Sequence, residues 1–275
     1  MAMSSQKVVL ITGASSGIGQ SIARLLAQKG FTVFGTSRNP QTVEPVAAVE
    51  VLPLDVRSDE SVNVCVNTVL GRAGRLDILI SNAGYMLGGA VEEATIEEAK
   101  ALFETNFFGA MRIVKAVLPI LRQQRSGMII ISSSLAGLVP GPPFFGIYSA
   151  SKFALEAYTE HLWREVKPFG IRVSLVEPGS IKTKLTSNRQ EAVERLGDYD
   201  PWRQRALDAM QRLEEKAPEP TLVAAAVLSI IESKSPRLRY KVGKDATWIP
   251  RLRQVLPASL FDKQLRKIFD LDAME

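Results

Sequence analysis

Residues 7–30, KVVLITGASSGIGQSIARLLAQKG, carry the pattern on which the reading of the fold turns. Lys7 to Thr12 is a short apolar run, the mark of a parallel strand buried on both faces. It passes without a linker into Gly13-Ala-Ser-Ser-Gly17-Ile-Gly19, then into the helical spacing Ile22, Leu25, Leu26, and stops at Lys29-Gly30. Strand, glycine turn and helix in this order put free backbone N–H groups and the positive end of the helix dipole at one point, where a phosphate group binds. Gly13, Gly17 and Gly19 let the main chain approach a pyrophosphate closely, with Ser15, Ser16 and Ile18 between them. The spacing is neither G-x-G-x-x-G nor a P-loop, which needs Gly-Lys-Ser/Thr. Three glycines also suit an ordinary tight turn, but the flanking strand and helix favour a dinucleotide.

Phe31 to Thr36 reads as a second strand and ends in Ser37-Arg38-Asn39-Pro40. An NAD site usually has an acid at this strand end for the ribose hydroxyls. None stands here, and Arg38, beside Ser37, offers a planar donor fork suited to a phosphate monoester. NADP(H) is therefore favoured over NAD(H), the alternative being that Arg38 is a solvated surface residue. Further strands are expected at Val49–Leu54, before Asp55-Val56, and at Leu76–Ser81, before Asn82-Ala83-Gly84. Two more follow at Met128–Ser132 and Arg172–Glu177, and a last one at Leu238–Val242. Helices are expected at Asp59–Leu70, Glu97–Leu121 and Thr221–Ser233. Strands alternating with helices, short turns and no break in composition predict a single α/β domain over residues 1–275, a doubly wound parallel sheet with flanking helices. Residues 184–220 read as a mobile helical excursion, and residues 244–275 as a basic helical extension broken at Pro257.

Of the 275 residues 46% are apolar, enough for a sizeable core. One cysteine, Cys65, excludes an internal disulfide and fits a reducing compartment; with a single histidine, His161, it also argues against a Cys/His metal centre. The N-terminus lacks the succession of a secretory signal, and Leu222–Ile231, the longest apolar stretch, is too short to span a bilayer, so a cytoplasmic protein is expected. The net charge of +5 resides wholly in residues 233–275, with ten Lys/Arg against five Asp/Glu. A nucleic-acid protein would spread a basic stripe over its fold, so nucleic acid is not expected as a partner.

The chemistry is expected in Ser134–Lys152, SLAGLVPGPPFFGIYSASK. Tyr148 and Lys152 are four apart, so on a helix they share one face and reach one substrate atom. Poising a phenol near neutrality takes about 4 kcal/mol of preference for the phenolate, which one ammonium at ~4 Å in a partly dry site can supply. Tyr148 then serves as a general acid or base. Taken alone, the pair is an ordinary surface spacing. Ser149 to Lys152 also fits S-x-x-K, but the S-D-N and K-T-G motifs of serine acylases are absent. His161, nine residues beyond Lys152, faces the opposite side of the helix, which excludes a Ser-His-Asp site.

With TGASSGIG, SNAG, Asn106, Ser134, YSASK and PGSIKT in order, the chain resembles the short-chain dehydrogenase/reductase family from Lys7 to about Val242. The resemblance implies a Rossmann-type fold and hydride transfer between NADP(H) and a carbonyl or alcohol. It implies that Tyr148 exchanges the proton at the substrate oxygen and that Ser134 hydrogen-bonds that oxygen. Lys152 would hold the nicotinamide ribose and lower the Tyr148 pKa, while Asn106 would open its helix and fix a water that relays protons. Thr183 and the backbone of Ile181, in the segment from Pro178-Gly179, would hold the carboxamide. Asp55 and Val56 would lie at the adenine, and Asn82, Ala83 and Gly84 beside the ribose. The family's paired asparagines appear as Ser81-Asn82, and Ser133 competes with Ser134, which is preferred because Leu135-Ala-Gly-Leu138 follows it.

Phe144, Phe145, Tyr85-Met-Leu, Trp202 and Met210 suggest a lipophilic substrate such as a steroid, a retinoid or a long-chain carbonyl, unless these side chains are core. Residues 248–269 alternate apolar and basic groups, suiting a peripheral membrane contact or lid, or equally packing within the protein. The resemblance also implies a homodimer or homotetramer paired through the helices carrying Asn106 and Tyr148. The alternative function is a regulator that binds NADP(H) without turnover, against which the retained Ser/Tyr/Lys set speaks.

Overall fold

The computed structural model describes residues 6–183 and 189–271. β1 (Val8–Ile11) enters the glycine turn, α1 (Gly17–Gln28) follows, and β2 (Thr32–Ser37) and β3 (Val49–Pro53) return alongside. After α2 (Asp59–Ala73), β4 (Ile78–Ser81) and the two-residue β5 (Leu87–Gly88) comes α3 (Ile96–Phe103), continuous through a π turn at Glu104–Phe108 with α4 (Gly109–Gln124). β6 (Gly127–Ser132), α5 (Gly146–Val166) and β7 (Ile171–Pro178) lead to the short β8 (Gln190–Glu191), α6 (Asp200–Glu215) and α7 (Thr221–Glu232). β9 (Arg239–Val242), α8 (Lys244–Val255) and α9 (Ala258–Ile268) close the described chain.

The main sheet has the order β3-β2-β1-β4-β6-β7-β9, with every pairing parallel. Chain order reverses between β1 and β4, and in such a sheet ligands bind beyond the carboxyl ends of the strands at that point. Alternate residues serve opposite faces. Leu10, Leu79, Ile129, Val173 and Leu175 pack with α2, α4 and α5, whereas Val9, Ile11, Ile80, Ile130 and Val176 pack with α1 and α7. Burying each such side chain contributes about 1.5–3 kcal/mol, which is why these strands are unbroken apolar runs. Cys65 lies in the first of these layers, where burial pushes its thiol up to about 11.

Local chemistry fixes the helix ends. The Ser58 hydroxyl accepts from Ser61 N at the start of α2, and Gly74, at φ 69°, ends that helix. Thr95 and Glu98 form a reciprocal capping box that starts α3 one residue before the expected Glu97. The expected single helix here does continue past Pro119 to Gln124, but it widens into the π turn around Asn106.

Of the expected excursion, residues 184–188 lie outside the described residues. The rest is anchored. β8 pairs with β5, and α6 is tied down by Arg203, which is buried and pairs with the buried Glu93 carboxylate. In the C-terminal extension the helices do separate at Pro257, and Phe261, Phe269 and Leu271 turn inward. Phe269 and Leu271 pack against Ala209, Met210 and Trp202 of α6. Trp202 therefore faces the extension and not the substrate wall expected for it, because its side of α6 is the one that Phe269 and Leu271 cover.

Candidate active site

The glycine turn is shaped by close approaches that exclude side chains. Gly13 has φ 68°, and a Cβ there would come within 2.8 Å of Ala83 Cα. A Cβ on Gly19 would collide with the Gly13 carbonyl, so the helix start can sit this close only without one. Thr12, at the end of β1, locks the neighbouring strand end: its Oγ1 accepts from Asn82 N at 2.9 Å and Ala83 N at 3.0 Å. The Asn82 side chain donates back to the carbonyls of Gly13 and Thr12 at 3.1 and 3.3 Å. Asn82 thus braces the turn itself, and Thr12 is a supporting residue that motif reading passed over. The N-terminal groups of α1 have no protein side chain capping them at Ser16, which suits a phosphate-bearing ligand.

At the outer end of the crevice, Arg38 is exposed after β2. Asp55, after β3, pairs bidentately with Arg57, which holds its carboxyl down at about 2; burial opposes this, and Arg38 adds a smaller downward pull. Two guanidinium groups, Arg38 and Arg57, therefore converge on this end. Arg57 had no motif to announce it. Val56 is buried against Gly109, where a Cβ would strike the Val56 side chain.

At the opposite end, β7 runs into Pro178-Gly179. Gly179 N donates to Val242 O at 2.9 Å, and Ser180 N donates to Asp245 Oδ2 at 2.6 Å. The Asp245 carboxyl fills the space where a Gly179 side chain would stand, so this glycine is required by packing. Asp245 belongs to α8, remote in sequence, and only the fold reveals it. Ile181 is buried beneath α7, and the Thr183 methyl would meet a Cβ on Gly17 at 3.7 Å, so this segment arches over the glycine turn.

Between these ends, α5 presents Tyr148 and Lys152 toward the crevice, both buried. The Ser134 hydroxyl hydrogen-bonds the Tyr148 phenol and also accepts from Ala136 N at 3.1 Å. Ser133 points elsewhere, toward Glu156. Lys152 Nζ donates to the Ser132 carbonyl at 3.0 Å and lies 5.8 Å from the Tyr148 ring centre. Asn106, at the π turn, accepts from Tyr85 N at 3.0 Å and donates to Tyr85 O at 3.0 Å and Ser151 Oγ at 3.2 Å. Ser151 Oγ in turn donates to the Tyr148 carbonyl at 2.7 Å. Asn106 thereby ties the strand end after β4 to the turn of α5 bearing the phenol.

The electrostatics differ from the expectation in one respect. Burial raises the Tyr148 pKa above the ordinary phenol value, with the Ser134 bond pulling the other way. Burial also lowers Lys152 to about 8, opposed by the nearby Glu156 carboxyl. In the protein alone the ammonium does not drag the phenol down, because the same dry surroundings penalise phenolate and ammonium alike. The phenol is held protonated, as a proton donor requires.

Around Tyr148 the surface is apolar: Met86, Leu87, Phe145, Tyr85, Leu207 and Met210 form one cluster with it. Phe144 adopts φ 70° and is covered by the Arg203 guanidinium at 5.8 Å from its ring centre. Glycine turn, crevice and a Ser/Tyr/Lys set on one face coincide with what sequence comparison finds: the short chain dehydrogenase model matches residues 7–194. The chain belongs to the short-chain dehydrogenase family.

Relatives within that family act in kind. A 3-ketodihydrosphingosine reductase of Bacteroides thetaiotaomicron is 42% identical over 254 residues, covering 89% of this chain and 93% of the relative. Bovine retinol dehydrogenase 8 is 36% identical, covering 92% and 86% respectively. Among solved structures, a short-chain dehydrogenase from Streptomyces avermitilis superposes with a TM-score of 0.79 at 34% identity, covering 96% of this chain and 98% of that one. A Burkholderia phymatum member in complex with NAD matches with a TM-score of 0.79 at 26% identity, covering 92% and 95%. This short-chain dehydrogenase is thus an oxidoreductase of carbonyl or alcohol groups with a nucleotide-binding α/β fold. Among the described residues no helix is long and apolar enough to cross a membrane.

Proposed function

We propose that the chain is a single-domain NADP(H)-dependent reductase of lipophilic ketones or aldehydes, working through Tyr148. The observation that carries this reading is the Tyr148 phenol, protonated by its burial, hydrogen-bonded to Ser134 and walled by an apolar cluster. The nicotinamide cofactor supplies the hydride when bound. The glycine turn fits its pyrophosphate, and Arg38 fits a phosphate monoester on the adenosine ribose, with Arg57 held by Asp55 beside it. Tyr148 gives its proton to the oxygen that becomes the alcohol, and Ser134 donates a hydrogen bond to that oxygen as charge develops on it. Lys152, kept charged, orients the ribose and stabilises the phenolate that Tyr148 becomes until a proton returns to it from solvent.

Met86, Leu87, Phe145 and Met210 exclude water from the reacting carbonyl and give a long apolar chain or ring a surface to lie on. The two named relatives, a long-chain ketone reductase and a retinol dehydrogenase, support a substrate of that kind. The test is oxidation of NADPH against 3-ketodihydrosphingosine, other long-chain ketones, ketosteroids and retinal. Turnover is expected with at least one, falling at least about 10³-fold in Tyr148→Phe. Tight NADPH binding without turnover on the whole panel would favour a cofactor-binding regulator.

The C-terminal extension adds a second interaction to this proposal. Trp248, Val255 and Leu260 remain exposed beside Arg251, Arg253 and Lys263, an arrangement that suits the surface of an anionic membrane. Flotation with anionic vesicles is expected to carry the protein upward at low salt, and absence of binding at every salt concentration would remove the membrane from the proposal.

A further inference from the structure

Farther along α5, on the face that carries Tyr148 and Lys152, three carboxyl groups meet one guanidinium. Glu156 lies one helical turn beyond Lys152, and Glu177 on β7 is wholly buried. Arg239 on β9 donates to Glu156, to Glu177 Oε1 at 2.5 Å and to Glu160 Oε1 at 2.6 Å. The Glu156 and Glu177 carboxyls meet at one guanidinium nitrogen, Arg239 Nη1, and one oxygen of each, Oε1 and Oε2 respectively, has no hydrogen-bond partner. The Ser133 hydroxyl faces the same point, and Gly137 closes it so tightly that a Cβ would meet Ser133 Oγ at 2.9 Å and Glu156 Cγ at 3.0 Å.

Two buried carboxylates in contact cannot both stay ionised at neutral pH when one guanidinium is already divided among three acids. One proton between them satisfies both orphan oxygens at once. It also balances the interior: Lys152 and Arg239 then face one shared negative charge and that of Glu160. We propose that Glu156 and Glu177 share a single proton and act as a positioning pair that sets the charge of Lys152 one helical turn away.

The charged groups around the pair are Lys152 and Glu160 on α5, Arg239 and Lys241 on β9, and Arg164, which holds Glu160 from the solvent side. Their balance agrees with the proposal. Burial and then Glu177 push Glu156 well above the usual carboxylate range, and burial raises Glu177 as well. Glu156 is the group that opposes the burial-driven fall of Lys152. The pair thus holds one negative charge, part of it on Glu156 facing Lys152, and that part is adjustable by one proton.

The inference rests on the proposed role of Lys152, so its test includes a readout that needs no substrate. The ligand-free protein at about pH 7.5, where free carboxyls are ionised, is expected to show the infrared carbonyl band of a buried carboxylic acid. Glu156→Gln and Glu177→Gln should each abolish it, because the remaining buried carboxyl then shares Arg239 with Glu160 alone. In the reaction, kcat/KM for NADPH reports the free enzyme and should fall above about pH 8 as Lys152 loses its proton.

The two isosteric substitutions should move that alkaline limb in opposite directions. Glu156→Gln removes the negative neighbour and shifts it downward, by about one pH unit; Glu177→Gln leaves Glu156 fully charged and shifts it upward. A merely structural role would move neither. Absence of the band in the native protein overturns the proposal, as do alkaline limbs that stay in place or move together. A protein that shows the band but turns over no substrate would contradict the proposed reaction and leave the shared proton intact.

Discussion

The proposed preference for NADP(H) rests on a single residue. Arg38 stands exposed at the end of β2, where an acidic side chain would instead bind ribose hydroxyls, and Arg57 adds a second guanidinium at the same end. Arg57 is already spent on Asp55, which leaves Arg38 as the free recognition group for a phosphate. Arg38→Asp is expected to weaken NADPH by 10²-fold or more, about 3 kcal/mol for a charge-assisted contact replaced by repulsion, while changing NADH little. Fluorescence titration with the two cofactors checks this, and equal losses for both would mean that Arg38 does not read the phosphate.

Elements rather than residues control access to Tyr148. α6 covers the apolar cluster through Leu207 and Met210, and its position depends on the buried Arg203–Glu93 pair. The Glu93 carboxyl also accepts from Ala90 N and Leu196 N, each at 2.7 Å, so one side chain fixes both the loop after β5 and the approach to α6. These hydrogen bonds hold its pKa below the usual carboxylate value despite the burial that pushes it up. Arg203→Leu leaves that carboxylate buried without its cation, a loss of about 3–5 kcal/mol when a buried pair is broken. The expected outcome is a higher KM for a lipophilic substrate and a lower Tm, with NADPH affinity within about twofold because the glycine turn is untouched. Steady-state kinetics with thermal denaturation measures both; an unchanged KM would show that α6 does not shape the site.

At the scale of the whole molecule, the exposed aromatics outside the extension, among the described residues, are Phe108 in the π turn before α4 and Phe153 on α5. Phe107 stacks edge-on against both Phe108 and Tyr158, joining the π turn to α5. An aromatic face of this kind on the two helices that carry the site is expected to pair with a second copy. Light scattering is expected to show a dimer or tetramer, and Phe108→Asp with Phe153→Asp should reduce it to a monomer. A native monomer at micromolar concentration would refute the pairing.

The sequence by itself determined the sheet, its parallel winding and the glycine turn, because these depend on local patterns: apolar runs, helical spacing and glycines that only a close approach explains. It also placed Ser134, Asn106, Tyr148 and Lys152, whose spacing along one chain carries their resemblance to the family. Tertiary structure alone decided what assembles from distant residues. Thr12 braces Asn82, Asp245 fills the space beside Gly179, and Arg239 joins carboxyls from α5 and β7. Trp202, expected at the substrate wall, is turned toward Phe269 and Leu271 instead. In each case the partners lie far apart in sequence, and short-range patterning records which face of an element is apolar but not which neighbour covers it. The charge on Tyr148 and Lys152 was likewise beyond the sequence, because desolvation is a property of the closed site and not of either residue.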